Sequence, residues 1–119
     1  MIINTDELKD MIDNEKDFVL IDVRNESELR YGMIPKAVHL SLQDFLEAWD
    51  LSDDKFYDQY GFRKPSKNKL IVVYCRTGSR SNLATEYLEE NGYNVKNYLG
   101  SVKAWSRIDD NVKMYGEWK

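Results

Sequence analysis

The sequence predicts an α/β fold built on a mainly parallel sheet, and three observations carry that prediction. Short apolar runs alternate with amphipathic stretches along the chain. The run Leu70-Ile71-Val72-Val73-Tyr74 is apolar throughout, as a central strand covered on both faces should be. Asp22, Arg24, Cys75 and Gly100 all fall at or just past the ends of such runs, the edge at which open α/β sheets bind ligands.

Taken in order, Asn4-Thr5-Asp6-Glu7 reads as a helix start, with Asn4 as cap and Glu7 three residues on, and Leu8, Met11 and Ile12 share the face that follows. Phe18 to Ile21 is a short strand ending at Asp22. Asn25 to Tyr31 is a short helix in which Arg24 and Glu28 can pair at i, i+4. Ala37 to Leu40 is a second strand. Ser41 then caps a helix carrying Leu42, Phe45, Leu46 and Trp49 on one face. Phe56, Tyr57 and Tyr60 mark another helix, ended by Gly61, and Pro65 to Lys69 reads as an exposed loop. After the Leu70–Tyr74 strand, Ser81 to Asn91 is a helix burying Leu83, Ala84, Tyr87 and Leu88, with Ser81 as its expected cap. Tyr93 to Leu99 is the last strand, and Gly100 turns the chain into a helix holding Val102 and Trp105.

Composition narrows the function. The 119 residues, 42% of them hydrophobic, make one domain, 1–119, with a core of its own. A net charge of −4 argues against nucleic acid as a partner. The longest apolar runs fall far short of the ~20 residues that span a bilayer, so no membrane partner is expected. The acidic start, Asp6-Glu7, resembles neither a signal nor a transit peptide. One cysteine excludes an internal disulfide and, with one distant histidine, argues against a structural zinc site. The expectation is a cytoplasmic monomer with no metal and no cofactor. Asp50, Asp53, Asp54 and Asp58 lack the spacing of a calcium loop and read as a solvated face. His39 reads as a strand residue, and Trp49 and Trp105 as core.

The chemistry is concentrated in Cys75-Arg76-Thr77-Gly78-Ser79-Arg80, between a strand and a helix N-terminus. A free thiol has a pKa of ~8.5. Arginines, backbone N–H groups and a helix dipole all favour the thiolate, so no general base is required. Gly78 lets the loop curl with positive φ. The same loop would cradle an oxyanion beside the sulfur, which points to nucleophilic sulfur chemistry on an anionic substrate.

Four ordered blocks resemble a known family. They are Leu20-Ile21-Asp22-Val23-Arg24 with Glu28, Gly32-Met33-Ile34-Pro35-Lys36-Ala37, Val72 to Ser81, and Tyr98-Leu99-Gly100 with Trp105. Together they are similar to a single-domain rhodanese, a sulfurtransferase. The resemblance implies a three-layer α/β/α fold around a five-stranded, mostly parallel sheet. It also implies that Cys75 takes a sulfane sulfur from a small anionic donor such as thiosulfate, holds it as a persulfide, and passes it to cyanide or a thiol acceptor such as thioredoxin, glutathione or a protein thiol. The backbone N–H groups of residues 76 to 80 would hold the persulfide. Arg76, Thr77, Gly78, Ser79 and Arg80 form the expected substrate-binding set, with Arg76 and Arg80 on the donor's oxyanion and Asp22 and Arg24 in support as an ion pair near the loop.

The chain departs from the family pattern at Met33 and Lys36, at Gly100-Ser101 where a Gly-Gly pair is usual, and in a longer 44–69 stretch. The first two read as structural variations without a reactive group, and the third as a candidate for shaping the mouth of the site. Cysteine phosphatases, related by chemistry, place five residues between cysteine and arginine. Here residues 76 to 79 separate Cys75 from Arg80, a smaller ring that suits one sulfur atom better than a phosphate. A protein-to-protein sulfur carrier and a non-catalytic binding or redox-sensing module are the competing readings.

Overall fold

In the computed structural model, which describes residues 1–115, the chain runs β1 (Ile2–Ile3), α1 (Thr5–Asp13), β2 (Val19–Asp22), a 3-10 helix (Glu26–Tyr31) and β3 (Ala37–His39). A 3-10 turn (Leu42–Asp44) leads into α2 (Phe45–Ala48), followed by α3 (Asp53–Tyr60), β4 (Leu70–Tyr74), α4 (Ser79–Glu90), β5 (Asn94–Tyr98) and α5 (Ser101–Trp105). The five strands form one sheet in the order β1-β5-β4-β2-β3, with every pairing parallel. Parallel neighbours need crossovers, and the helices supply them.

The crossovers put a layer on each face. Ile21, Ile71, Val73 and Val95 pack against Phe45, Ala48, Phe56, Ala84 and Leu88 of α2, α3 and α4. Ile3, Leu20, Val72, Tyr74 and Tyr98 pack against Leu8 and Ile12 of α1 and Val102 and Trp105 of α5. Strand β4 lies between β2 and β5, and its residues Ile71 to Tyr74 are fully buried. The α/β class, the parallel sheet and the covered central strand are as the sequence predicts.

Local rules account for several ends. Asn4 and Glu7 form a complete capping box: Glu7 N–H donates to Asn4 Oδ1 at 2.8 Å, and Asn4 N–H to Glu7 Oε1 at 3.1 Å. Ser52 caps α3, and Gly61, left-handed at φ +79, ends it.

Other expectations need correction. Strand β1 has no counterpart in the sequence reading, because two residues carry no periodicity. It exists through pairing with Asn97 and Tyr98 at the far end of the chain. The helix expected from Ser41 is split into a 3-10 turn and a four-residue helix, Ser41 makes no side-chain cap, and the changed rotation turns Leu46 outward at 66% exposure. Helix α4 begins two residues early, at Ser79, so Ser81 lies inside it. Its buried stripe is Ser81, Ala84, Thr85 and Leu88, and Leu83 falls off that stripe and is exposed. The short helix expected at 25–31 is present, as a 3-10 helix over Glu26–Tyr31. Trp49 and Trp105 do fill the core.

Candidate active site

Strand β4 delivers Cys75 to the C-terminal edge of the sheet, and the chain turns at once into α4. Gly78 makes the turn at φ +103. A Cβ there would meet the Leu99 carbonyl oxygen at 2.5 Å and Leu99 Cδ1 at 2.8 Å, so the position requires glycine on two counts. The curl brings Gly78 N–H to 3.0 Å from Cys75 Sγ. The sulfur lies at the floor of the loop, in a residue only 1% exposed, facing the N-terminus of the 12-residue helix α4.

Two hydroxyls flank it. Cys75 Sγ lies 3.6 Å from Ser81 Oγ, and that hydroxyl donates to the Gly78 carbonyl at 3.1 Å. Ser101 Oγ accepts the Cys75 backbone N–H at 3.1 Å and donates to the Tyr98 carbonyl at 2.8 Å. The first amides of α5 secure the same stretch: Val102 N–H donates to Cys75 O at 3.1 Å, and Lys103 N–H to Arg76 O at 2.9 Å.

Burial pushes the Cys75 thiol up. The Ser81 hydroxyl and the backbone N–H groups of Ser81, Gly78 and Thr77 pull it down and prevail, so the thiol titrates below its ordinary value. The sequence reading gave much of that work to the arginines. In the structure, short-range hydrogen-bond donors do it.

The arginines are placed differently from each other. Arg80 makes a bidentate pair with Glu28, Nη1 to Oε1 at 2.6 Å and Nη2 to Oε2 at 2.9 Å. That bond holds the Glu28 carboxyl below the usual carboxylate range and raises Arg80. Glu28 was expected to pair with Arg24. Its carboxylate instead reaches the loop, and Arg24 touches only its backbone oxygen, at 3.4 Å. Arg76, half-buried, lies over the Tyr115 ring at 4.6 Å. Thr77 and Ser79 are exposed at the rim.

Asp22 and Arg24 form a fully buried ion pair at the end of β2, with Arg24 Nη2 at 2.7 Å from both Asp22 Oδ2 and the Gly32 carbonyl. Burial works against the charge on Arg24, and Asp22 more than offsets it. Burial also raises the Tyr74 hydroxyl, which accepts from Ile34 N–H at 3.1 Å. The pair thus ties β2 to the 3-10 helix that carries Glu28, and so sets Arg80. His39 Nε2 lies 2.7 Å from the Arg24 carbonyl, away from the sulfur.

The structure therefore gathers Cys75, the 76–80 loop and the Asp22–Arg24 pair at one sheet edge. It adds Glu28, Leu99 and Ser101, to which sequence reasoning gave no role there. Each carried a signal: Glu28 in the first block, Leu99 in the last, and Ser101 as the departure from a Gly-Gly pair.

A family model described as rhodanese-like domain matches residues 4–108. A Schizosaccharomyces pombe protein provisionally named a mitochondrial thiosulfate sulfurtransferase is 44% identical over 93 residues, covering 77% of this chain and 66% of that protein. The chain thus spans about two thirds of that relative. A Bacillus subtilis protein provisionally named sulfurtransferase YtwF is 36% identical over 103 residues, covering 87% of each. Among solved structures, the human single-domain sulfurtransferase TSTD1 superposes with a TM-score of 0.85 at 25% identity, covering 91% of this chain and 96% of that one.

Proposed function

This chain belongs to the rhodanese-like domain family, and from that premise we propose that it is a sulfurtransferase working through a persulfide on Cys75. The observation that carries the reading is the Cys75 sulfur held against Gly78 N–H at 3.0 Å, with its thiol pKa lowered although the residue is buried.

Thiosulfate is the proposed donor, supported by the name of the fission-yeast relative. The Cys75 thiolate attacks the outer sulfur of thiosulfate. A Cys75 Sγ–S bond forms, the S–S bond of thiosulfate breaks, and its electron pair leaves with sulfite. The persulfide takes up the backbone amides of the loop, Gly78 N–H first among them, that faced the thiolate. The rim groups Arg76, Thr77 and Ser79 meet the donor's sulfonate end, and Arg80 adds positive field from its pair with Glu28. A thiolate acceptor then attacks the outer sulfur and returns Cys75 to its thiolate. No proton transfer is needed, which is consistent with a sulfur that meets hydroxyls and amides.

The acceptor is a low-molecular-weight or protein thiol. Named relatives come from a bacterium and a mitochondrion, so the proposed setting is any reducing compartment in which such a thiol is kept reduced, the cytoplasm included. Among the described residues no helix is long and apolar enough to cross a membrane.

Intact mass after incubation with thiosulfate tests the reading. Wild type is expected to gain the mass of one sulfur atom, lost again on adding cyanide or a thiol, and Cys75→Ser to gain nothing. A folded wild-type protein that takes no sulfur from thiosulfate or any other persulfide donor would leave a binding module as the better reading.

A further inference from the structure

Ser101 occupies a backbone position that suits glycine better. Its φ is +52, in the left-handed region that other residues adopt only with strain. Its side chain is fully buried. Turning the chain from β5 into α5 calls for no hydroxyl, and a glycine would make the turn with less strain.

What the hydroxyl does is meet Cys75. It accepts the Cys75 N–H at 3.1 Å, donates to the Tyr98 carbonyl at 2.8 Å, and lies 4.0 Å from Sγ. Ser81 is arranged in the same way on the other side: its hydroxyl rests on the Gly78 carbonyl, also three residues back, with Sγ at 3.6 Å. Each hydroxyl has one proton, and each has a carbonyl and the sulfur within reach. With sulfur as a neutral thiol or a loaded persulfide, the carbonyls are the better acceptors. A hydrogen bond to a full negative charge is roughly twice as strong as a neutral one, so the preference reverses when Sγ becomes a thiolate.

We infer that Ser101 is a second hydroxyl donor to the Cys75 sulfur, turning from the Tyr98 carbonyl to Sγ as sulfur is released. The inference rests on the persulfide reading. In release, the acceptor thiolate attacks the outer sulfur and forms a new S–S bond. The Cys75 Sγ–S bond breaks, and its electron pair stays on Sγ. Charge appears on Sγ during that step, and Ser81, Ser101 and Gly78 N–H converge on it. Ser101 also fixes Sγ by holding the backbone N–H of the same residue.

Two substitutions separate this role from a structural one. Ser101→Gly removes the hydroxyl and relieves the strain; Ser101→Ala removes the hydroxyl and retains it. Two readouts are taken: the pH profile of Cys75 alkylation by iodoacetamide, which needs no sulfur donor, and the single-turnover discharge of persulfidated enzyme to a thiol. In both variants the alkylation profile is expected to move to higher pH and discharge to slow about tenfold, although Ser101→Gly, relieved of the strain, melts above Ser101→Ala. A Ser101→Gly protein with the wild-type profile, or with the wild-type discharge rate, would overturn the inference. If wild type itself takes up no sulfur, the proposed function fails, and the alkylation profile alone decides what Ser101 does.

Discussion

Arg80 shows how one side chain can serve stability and substrate together. Its guanidinium is held by Glu28 in two bonds, yet the Cys75 charge also contributes to keeping it ionised. Arg80→Ala is expected to cut kcat/KM for anionic donors more than for neutral ones, and to destabilise the fold by about 1–3 kcal/mol by leaving Glu28 without its partner. Donor-dependent kinetics and urea midpoints check both. The pH dependence has a definite sign. The folded Glu28 carboxyl titrates below its ordinary value because of Arg80. Its contribution is therefore fully present above the ordinary carboxylate range and is lost as pH falls through the depressed value. Urea midpoints of wild type should fall more steeply across that acidic window than those of Arg80→Ala. An equal slope would mean that the pair contributes nothing. The donor-facing role is an expectation of the residue order; the pair is not. Arg80 reads as positive charge for the donor alone until the 3-10 helix brings Glu28, 52 residues away in sequence, against it.

At the scale of elements, the most exacting contact is the Asp22–Arg24 pair at the end of β2. Both side chains are fully buried, and Arg24 also bonds the Gly32 carbonyl. Removing one charge leaves the other buried and unpaired, so Asp22→Ala is expected to cost about 3–5 kcal/mol. A paired replacement of both residues by apolar ones of similar size should cost less. Chemical denaturation of the single and double variants measures the difference, and a single variant of wild-type stability would show that the pair is dispensable. Elements of this chain were legible in proportion to how locally they are specified. Leu70–Tyr74 is read directly because a continuous apolar run has one good environment, and α1 because its capping box lies within four residues. Strand β1 and the split helix at 42–48 were not, because pairing across the chain and packing against neighbours decide them. Position 101 carried a partial signal, a usual glycine by resemblance, but a serine does not itself announce the left-handed φ that its neighbours impose.

Across the whole molecule, the sheet separates its two ends by task. Cys75, Ser101 and the Asp22–Arg24 pair gather at the C-terminal ends of the strands. At the opposite ends, Phe62 to Ser66 close over Val19, Leu20 and Val38 beside Lys36 and Lys69, around an apolar cleft of about 440 Å³. Part of the long 44–69 stretch, expected as a candidate for the mouth of the site, thus lies at the far end of the sheet. Phe62 packs edge-on against Phe56, ring centroids 5.1 Å apart. Phe62→Ala is expected to lower stability by about 1–3 kcal/mol, less than a fully buried phenylalanine would, and to leave the ratio of kcat/KM values between donors unchanged. Thermal melts and donor kinetics check it, and a changed donor preference would mean that this end communicates with the loop.

The strand order has one more consequence, which concerns the order of synthesis. Ile2 and Ile3 are made long before their partners Asn97 and Tyr98. The Cys75 and Arg76 carbonyls likewise wait for the amides of Val102 and Lys103, and the Cys75 N–H for Ser101. On a ribosome, where chains emerge from the N-terminus onward, the sulfur and its donors on Thr77, Gly78 and Ser81 would leave the exit tunnel together, before the groups that hold the loop's backbone. The loop would therefore take its final curl around the sulfur only when the last strand and helix close over the sheet.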